Sequence, residues 1–240
     1  MTLIIFFVFA AATNRSVCRH KKAGICKTSI CGATIEHCSS LCISVRTGTL
    51  ISFLIFTSTS LYSYSSNPKE FIVGLVEDAI SKLSDKNLTD EEKSEFIEQI
   101  ALENVDIKAL GLYTLGELRK STEKDKINDY QIAFEKYFLK SLTSRLKDYS
   151  ASKFEVMSED KKSSNYTIVN SKIIPEDGSP EIKIDWRIYT KNPEKPLIRD
   201  LMVEGLSLAR TQKEEFNSVI QNNNGDINSL FKVLEEFIIK

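Results

Sequence analysis

Cysteine and histidine are missing from most of this chain. All five cysteines and both histidines of the 240 residues lie between Cys18 and Cys42. Without these side chains, the region after residue 66 cannot form a Ser-His-Asp triad or a thiolate nucleophile, and it lacks the usual ligands of zinc. Carboxylate, lysine or tyrosine chemistry, or no chemistry at all, is left to it. We therefore predict a region with no metal and no cofactor.

Glycine is also scarce, with nine residues in the whole chain. The six that follow residue 66 stand singly: Gly74, Gly111, Gly116, Gly178, Gly205 and Gly225. A phosphate-cradling loop needs several glycines at fixed short spacing. The sequence therefore contains no nucleotide-binding motif of that kind.

The region after residue 66 also lacks an excess of positive charge. Residues 1–66 hold six of the 32 Lys and Arg residues and one of the 33 Asp and Glu residues, so the remainder carries 26 basic and 32 acidic groups. A nucleic-acid-binding protein needs a clustered basic surface to neutralise phosphates. The mild acidity argues against that class. The 174 residues from Asn67 onward suffice for one domain with a sizeable core.

The first 66 residues are predicted to be a leader. Leu3–Ala12 is an apolar run too short to span a bilayer of about 30 Å. A second apolar run follows Arg46 and ends in Ser63-Tyr64-Ser65, with small residues at positions −3 and −1 of a cleavage site after Ser65. This layout is typical of a secretory signal peptide. An uncleaved membrane anchor is the alternative.

The cysteine-rich stretch between the two apolar runs has two interpretations. Its five cysteines are spaced without any CxxC pair, which makes a zinc site a weak hypothesis. An odd number also leaves one thiol over if disulfides form. The alternative, which we favour, is that translation starts later and that this stretch does not belong to the working protein.

Helical patterns come first after the leader. Apolar residues recur at helical spacing from Phe71 to Leu83, after an Asn67-Pro68 start. Thr89-Asp-Glu-Glu92 predicts a capping box, a shorter helix is predicted over 106–118, and the longest over 123–149. Two helices close the chain, the first predicted to begin with a capping box at Thr211–Glu214 and the second after Gly225-Asp226.

The middle of the chain changes to the period of β-strands. Short strands are predicted around 154–157 and 166–169, and Ile182–Ile188 alternates apolar and charged residues without a break. Asp177–Pro180 predicts a turn, and Leu197–Glu204 a fourth strand. The expected fold class is α+β: a four-stranded antiparallel sheet covered on one face by about six helices, with an apolar cavity between them.

Several stretches together resemble the MlaC-type, or toluene-tolerance, family of periplasmic phospholipid-binding proteins. They are Asn67-Pro68, the stretch 104–107 with Leu115-Gly116, the helix 134–149, and Asp200-Leu-Met-Val-Glu-Gly-Leu-Ser207 followed by Arg210 and Phe216. The resemblance covers essentially all of residues 67–240. The family lacks the cysteine-rich leader, in keeping with a carrier domain that begins near residue 67.

The resemblance implies a soluble, non-enzymatic carrier in the periplasm. Such a protein moves diacyl phospholipid between an inner-membrane ABC-transporter complex and an outer-membrane lipoprotein complex, which maintains the lipid asymmetry of the outer membrane. The acyl tails would lie between sheet and helices, with the head group in water. On this reading the expected lipid-binding residues are Leu110, Leu115, Phe134, Phe138, Leu142, Ile168, Ile182, Ile184, Trp186, Ile188, Leu201 and Val203. For any one of these residues plain core packing is the alternative, because apolar stripes are most often core.

Two other functions stay open at this point. One is a small hydrolase or isomerase that uses carboxylates such as Asp185, Asp200 and Glu204, of which the last two would share one side of a strand. The other is a structural or interaction domain with a solid core. Co-purified lipid would distinguish the carrier from both.

Overall fold

The computed structural model describes residues 64–146, 153–175 and 178–240. Within these ranges, five helices precede an antiparallel sheet, and two helices follow it. The helices are α1 (Pro68–Ser84), α2 (Asp90–Asn104), α3 (Ile107–Thr114), α4 (Leu118–Ser121), α5 (Lys124–Leu146), α6 (Leu208–Gln221) and α7 (Ile227–Ile238). The strands are β1 (Lys153–Ser163), β2 (Tyr166–Ile174), β3 (Ile182–Tyr189), β4 (Leu197–Val203) and β5 (Leu206–Ser207). The predicted α+β class is confirmed.

Helix starts follow local side-chain chemistry. Asn67 caps α1, accepting hydrogen bonds from the amides of Lys69 and Glu70. Thr89 and Glu92 form the predicted capping box of α2, and the Thr89 amide that donates to Glu92 lowers the pKa of this carboxyl. Asp226 caps α7, which begins directly after Gly225-Asp226 as predicted. Each cap satisfies amides that the first helical turn leaves without a partner.

The predicted capping box at Thr211 is wrong. Helix α6 begins one turn earlier, where the hydroxyl of Ser207 accepts from the amide of Arg210. Thr211 lies inside the helix and donates its hydroxyl to the Ser207 carbonyl oxygen. Thr211–Glu214 matches the capping sequence, but the chain has already turned into the helix directly after β5.

The sheet has the order β1-β2-β3-β4-β5, with every neighbouring pair antiparallel. On β3, Ile184, Trp186 and Ile188 face the helices, while the charged residues between them face away. Helices α1, α3 and α6 pack on the sheet. One face is therefore covered by helices, as the alternating pattern predicted.

The sheet contains five strands and the prediction of four is wrong by one short strand. Glu204 and Gly205 both have positive φ, 49° and 79°, and form a tight two-residue turn that returns the chain to pair Leu206 with Val203. Positive φ at both central residues is characteristic of a type I′ hairpin. A strand of two residues is too short to leave a periodic pattern in the sequence.

Hydrophobic residues gather into separate clusters. One, among α3, α5, α6 and α7, surrounds Tyr130, Phe134 and Phe216. A second joins α1 and α2 to the sheet around Phe71 and Ile188, and a small third lies near the ends of β3 and β4. Among the described residues, none of the helices has the length and apolar character needed to cross a membrane. The predicted leader lies almost entirely outside the described residues.

Candidate functional site

A cavity of about 330 Å³ lies between the helices and the covered face of the sheet. Native cores contain few voids larger than a water molecule, so a space of this size is not a packing defect. It falls at the lower end of the range of about 300 to 1,000 Å³ that ligand pockets occupy. The cavity is therefore the candidate ligand-binding site of the described region.

Five helices form one side of the cavity, and the contribution of α3 is Leu110. Helix α1 contributes Leu75, Val76, Ala79, Ile80 and Leu83, and α2 contributes Phe96, Ile97, Ile100 and Ala101. The stripe of α5 that faces the cavity runs from Phe134 to Leu146, and α6 adds Leu208, Ala209 and Gln212. In each helix these positions recur three or four residues apart, the spacing of one helical face.

The sheet forms the other side. Phe154, Ile173, Ile184, Trp186, Ile198, Leu201 and Val203 line it, from four neighbouring strands. Trp186 is held in place by its indole N–H, which donates to Ser171 Oγ at 2.8 Å, and by the edge of the Phe154 ring. Ser171 in turn donates to the Ile184 carbonyl oxygen at 2.9 Å. These bonds satisfy the polar atoms of the wall and leave apolar surface towards the cavity.

Eight of the twelve predicted lipid-binding residues line this one cavity. They are Leu110, Phe134, Phe138, Leu142, Ile184, Trp186, Leu201 and Val203. They come from α3, α5, β3 and β4, elements far apart in sequence. The structure brings this group together, and lipid contact at these residues remains a prediction.

The other four predicted residues lie elsewhere. Leu115 and Ile188 are fully buried in the helical cluster and in the cluster under α1, respectively, and Ile182 packs at the end of the sheet. Ile168 sits on the uncovered face, because it pairs with Arg187 whereas its neighbour Val169 pairs with Trp186. Side chains alternate along a strand, so assigning Ile168 to the cavity face was wrong by one position.

The prediction missed the contribution of α1 and α2. Their apolar stripes were visible in the sequence, but nothing in a stripe shows whether it meets a partner or a cavity. It also missed Tyr137, Ser141, Arg145 and Gln212, the polar residues of the α5–α6 wall. Their signal was the spacing 137, 141 and 145, which places three of them on the cavity face of α5.

The three carboxylates considered for catalysis do not converge. Asp185 accepts from Asn170 Nδ2 at 2.8 Å on the uncovered face, and Glu204 accepts from the Lys183 amide in the turn after β4. Asp200 is buried and accepts from the Ser207 hydroxyl at 2.6 Å, the Ala209 amide at 3.0 Å and Arg187 Nη1 at 3.3 Å. The expectation that Asp200 and Glu204 share one side of a strand is wrong, since the strand ends at Val203.

Arg199, another charged residue at the cavity, is also paired. Arg199 donates to Asp106 Oδ2 at 2.8 Å, and its guanidinium carbon lies 3.4 Å from the centre of the Tyr189 ring. Asp106 caps α3, and its amide donates to the Ile198 carbonyl oxygen, so this ion pair ties the α2–α3 junction to β4. Within the described ranges, no group of three or more His, Cys, Asp or Glu residues is arranged to hold a metal ion.

Comparison with known proteins agrees with this architecture. A phospholipid-binding protein from Ralstonia solanacearum, solved in complex with a phospholipid, has a similar fold with a TM-score of 0.58. The two chains are 18% identical, and the match covers 70% of this chain and 94% of the other. No curated protein sequence matches the chain. The family model described as MlaC protein matches residues 74–236, about two thirds of the chain, so this protein belongs to the MlaC family.

Proposed function

We propose that this protein binds the acyl chains of a phospholipid in the cavity between its helices and its sheet. The observation that carries the proposal is the cavity itself, with about 330 Å³ of space lined mainly by apolar side chains. The similarity to a phospholipid-binding protein and the membership of the MlaC family support the choice of ligand.

The apolar walls of this cavity are unfavourable in contact with water, because removal of apolar surface from water is a main driving force of folding and binding. An acyl chain that lies in the cavity covers these walls. The cavity therefore favours an apolar ligand over solvent.

We further propose that the protein is a periplasmic carrier between an inner-membrane ABC-transporter complex and an outer-membrane lipoprotein complex. Burial of two chains of about 15 methylenes contributes roughly 24 kcal/mol relative to water, at about 0.8 kcal/mol per CH₂. This exceeds the practical ceiling of about 18 to 21 kcal/mol for non-covalent affinity. A carrier therefore has to exchange lipid with a membrane or a docked partner, where the tails stay buried, and not with water.

The geometry does not favour the enzyme alternative. Asp185, Asp200 and Glu204 are separately hydrogen-bonded and face different parts of the molecule. Paired-carboxylate catalysis needs two such groups on either side of one reacting bond. The solid-core alternative does not account for the cavity.

The proposal is tested by native mass spectrometry of the protein purified without detergent from a host that contains phospholipid. We expect a population whose mass exceeds that of the polypeptide by one or more diacyl phospholipids, identified after extraction. Delipidated protein should also extract labelled phospholipid from vesicles and deliver it to lipid-free acceptor vesicles. A purified protein that carries no lipid and extracts none from vesicles would rule out the proposed function.

A further inference from the structure

The cavity has a polar stripe on one wall. Tyr137, Ser141 and Arg145 line it at four-residue spacing along α5, and Gln212 faces them from α6. The Tyr137 hydroxyl donates to Gln212 Oε1 at 3.2 Å, and Arg145 Nε donates to Ser141 Oγ at 3.3 Å. In binding pockets that are mainly apolar, a few converging polar groups fix the orientation of the ligand.

This stripe has unused capacity to donate hydrogen bonds. Gln212 Nε2 is buried without an acceptor among the described residues, and Gln212 is the one residue with such an atom that lines the cavity. Arg145 uses its Nε atom on Ser141 and leaves both terminal nitrogens without a hydrogen bond to any described residue. The Ser141 hydroxyl accepts from Arg145 and can still donate its own hydrogen.

Arg145 also differs from the other charged residues of the wall. Arg199 is paired with Asp106, and Asp200 with Arg187. Arg145 forms no ion pair with a carboxylate in the described part of the chain, and it lies at the end of α5, at the limit of the apolar stripe. Burial raises the pKa of Tyr137, Glu215 adds to the rise and Arg145 opposes it, which puts both charges near this wall. Glu215 does not line the cavity, whereas Arg145 does.

We propose that Arg145, oriented by Ser141, binds the phosphate group of the lipid whose tails fill the cavity. This inference rests on the proposed lipid-binding function. It adds that the Arg145 guanidinium fixes the orientation of the bound lipid in the cavity. A guanidinium presents a planar set of donors that matches two phosphate oxygens, and such charge-assisted pairs are among the stronger hydrogen bonds in proteins. The tails would then run from Arg145 into the space between α1, α2 and the sheet.

The test compares two ligands that share their tails and differ in the phosphate. Delipidated full-length protein is mixed with equal amounts of dioleoyl phosphatidic acid and dioleoylglycerol, and the bound ratio is measured by native mass spectrometry. For the unaltered protein we expect phosphatidic acid to be preferred by roughly ten- to a hundredfold, the effect of a hydrogen bond to a charged group. Arg145→Gln should remove most of this preference and leave the binding of dioleoylglycerol unchanged. Arg145→Lys keeps the charge but loses the planar set of guanidinium donors, so it should give an intermediate ratio of bound phosphatidic acid to dioleoylglycerol.

Arg119→Gln is the matched control, because Arg119 is exposed on α4 and does not line the cavity. It should keep the full preference. An unchanged ratio in Arg145→Gln, or an equal loss of both ligands, would overturn the assignment of Arg145. An unaltered protein that binds neither ligand would instead overturn the proposed lipid-binding function, so the two failures are distinguishable. Thermal unfolding of each variant verifies that it is folded.

Discussion

Two side chains on the same face of strand β3 have different surroundings. Ile184 and Ile188 lie four residues apart on the covered face of β3, and both are buried. Ile184 lines the cavity, whereas Ile188 is fully enclosed among residues of α1 and the neighbouring strands. A larger side chain at residue 184 can therefore extend into the cavity, whereas at residue 188 it has no free space.

We predict that Ile184→Trp reduces bound lipid at little cost in stability. The indole can extend into the cavity, so the free energy of unfolding of the delipidated protein should fall by about 1 kcal/mol or less, while lipid per protein decreases. Ile188→Trp is the control and should cost about 1 to 3 kcal/mol through overpacking. Chemical denaturation and mass spectrometry of the bound lipid measure the two effects. A large destabilisation by Ile184→Trp with unchanged lipid would show that Ile184 is plain core.

Asp200 is predicted to be a structural residue. Its carboxylate joins the start of α6 to β3 through Ser207, the Ala209 amide and Arg187. Asp200→Ala removes the acceptor of these three donors, of which the Ala209 amide is buried, and should lower the free energy of unfolding by about 1 to 3 kcal/mol. Asp160→Ala, on the exposed part of β1, should change it by about 0.5 kcal/mol or less. Urea denaturation of both variants tests this, and equal small effects would contradict it.

Secondary-structure elements are joined by a few specific contacts at their ends. The chain before α1 is one example: the Tyr64 ring meets the Phe71 ring edge-on and lies against Gly74, and its hydroxyl donates to Asp78 Oδ2 at 3.1 Å. Cleavage after Ser65, as the leader pattern predicts, would remove this tyrosine. The structure thus gives residue 64 a role that the cleavage pattern does not.

We predict that a fragment of residues 64–240 is more stable than one of residues 67–240 by about 1 to 2 kcal/mol. The difference comes from the burial of the Tyr64 ring and its contact with Phe71. Thermal and chemical denaturation of the two fragments provide the measurement, with Tyr64→Phe separating the ring from the hydroxyl. N-terminal sequencing of the native protein then shows whether Tyr64 is kept. Equal stability of the fragments would mean that Tyr64 contributes nothing to the fold.

Helix α5 carries two buried tyrosines that should govern stability at high pH. Burial raises the pKa of Tyr130, against the opposing effect of its hydrogen bond to Thr114, and burial also raises the pKa of Tyr137. An unfolded tyrosine ionises near pH 10, so the folded state keeps its proton to higher pH than the unfolded state does. The associated stability is complete below about pH 10 and is lost as the pH rises towards the folded values.

The double variant Tyr130→Phe, Tyr137→Phe should therefore lose less stability between pH 10 and 11 than the unaltered protein. The expected difference in slope is up to about 1.4 kcal/mol per pH unit for each tyrosine. Urea denaturation at a series of pH values measures it, and Tyr113→Phe, at an exposed tyrosine, serves as the control. Identical slopes for the double variant and the unaltered protein would show that these hydroxyls ionise without unfolding.

We expect the region of residues 64–240 to fold without a metal ion or a disulfide. It contains no cysteine or histidine, and its described part holds no cluster arranged for a metal. We predict that the fragment 64–240 has the same unfolding temperature with and without a chelator and with and without a reducing agent. Added phospholipid should raise that temperature, because a ligand that binds only the folded state stabilises it by mass action. A marked shift on chelation would disprove the metal-independent fold.

Local patterns in the sequence were sufficient for several parts of this protein. The caps at Asn67, Thr89 and Asp226 depend on side chains within three residues of the helix start, and the alternation of β3 depends on successive residues. Such features are decided by short-range chemistry, so they can be read in order along the chain. The fold class follows from their succession.

Other features depend on which elements meet. The start of α6 at Ser207 follows from the short β4–β5 hairpin, and the covered face of β2 depends on a register that places Val169 opposite Trp186. The apolar stripe of α1 has the same sequence pattern whether another secondary-structure element or a cavity lies against it. Only the packing of the helices on one another and on the sheet determines that Leu115 and Ile188 are core while Phe138 and Ile184 border open space. The physical reason is that burial measures contact with other elements, and sequence periodicity specifies the face of an element but not what covers it.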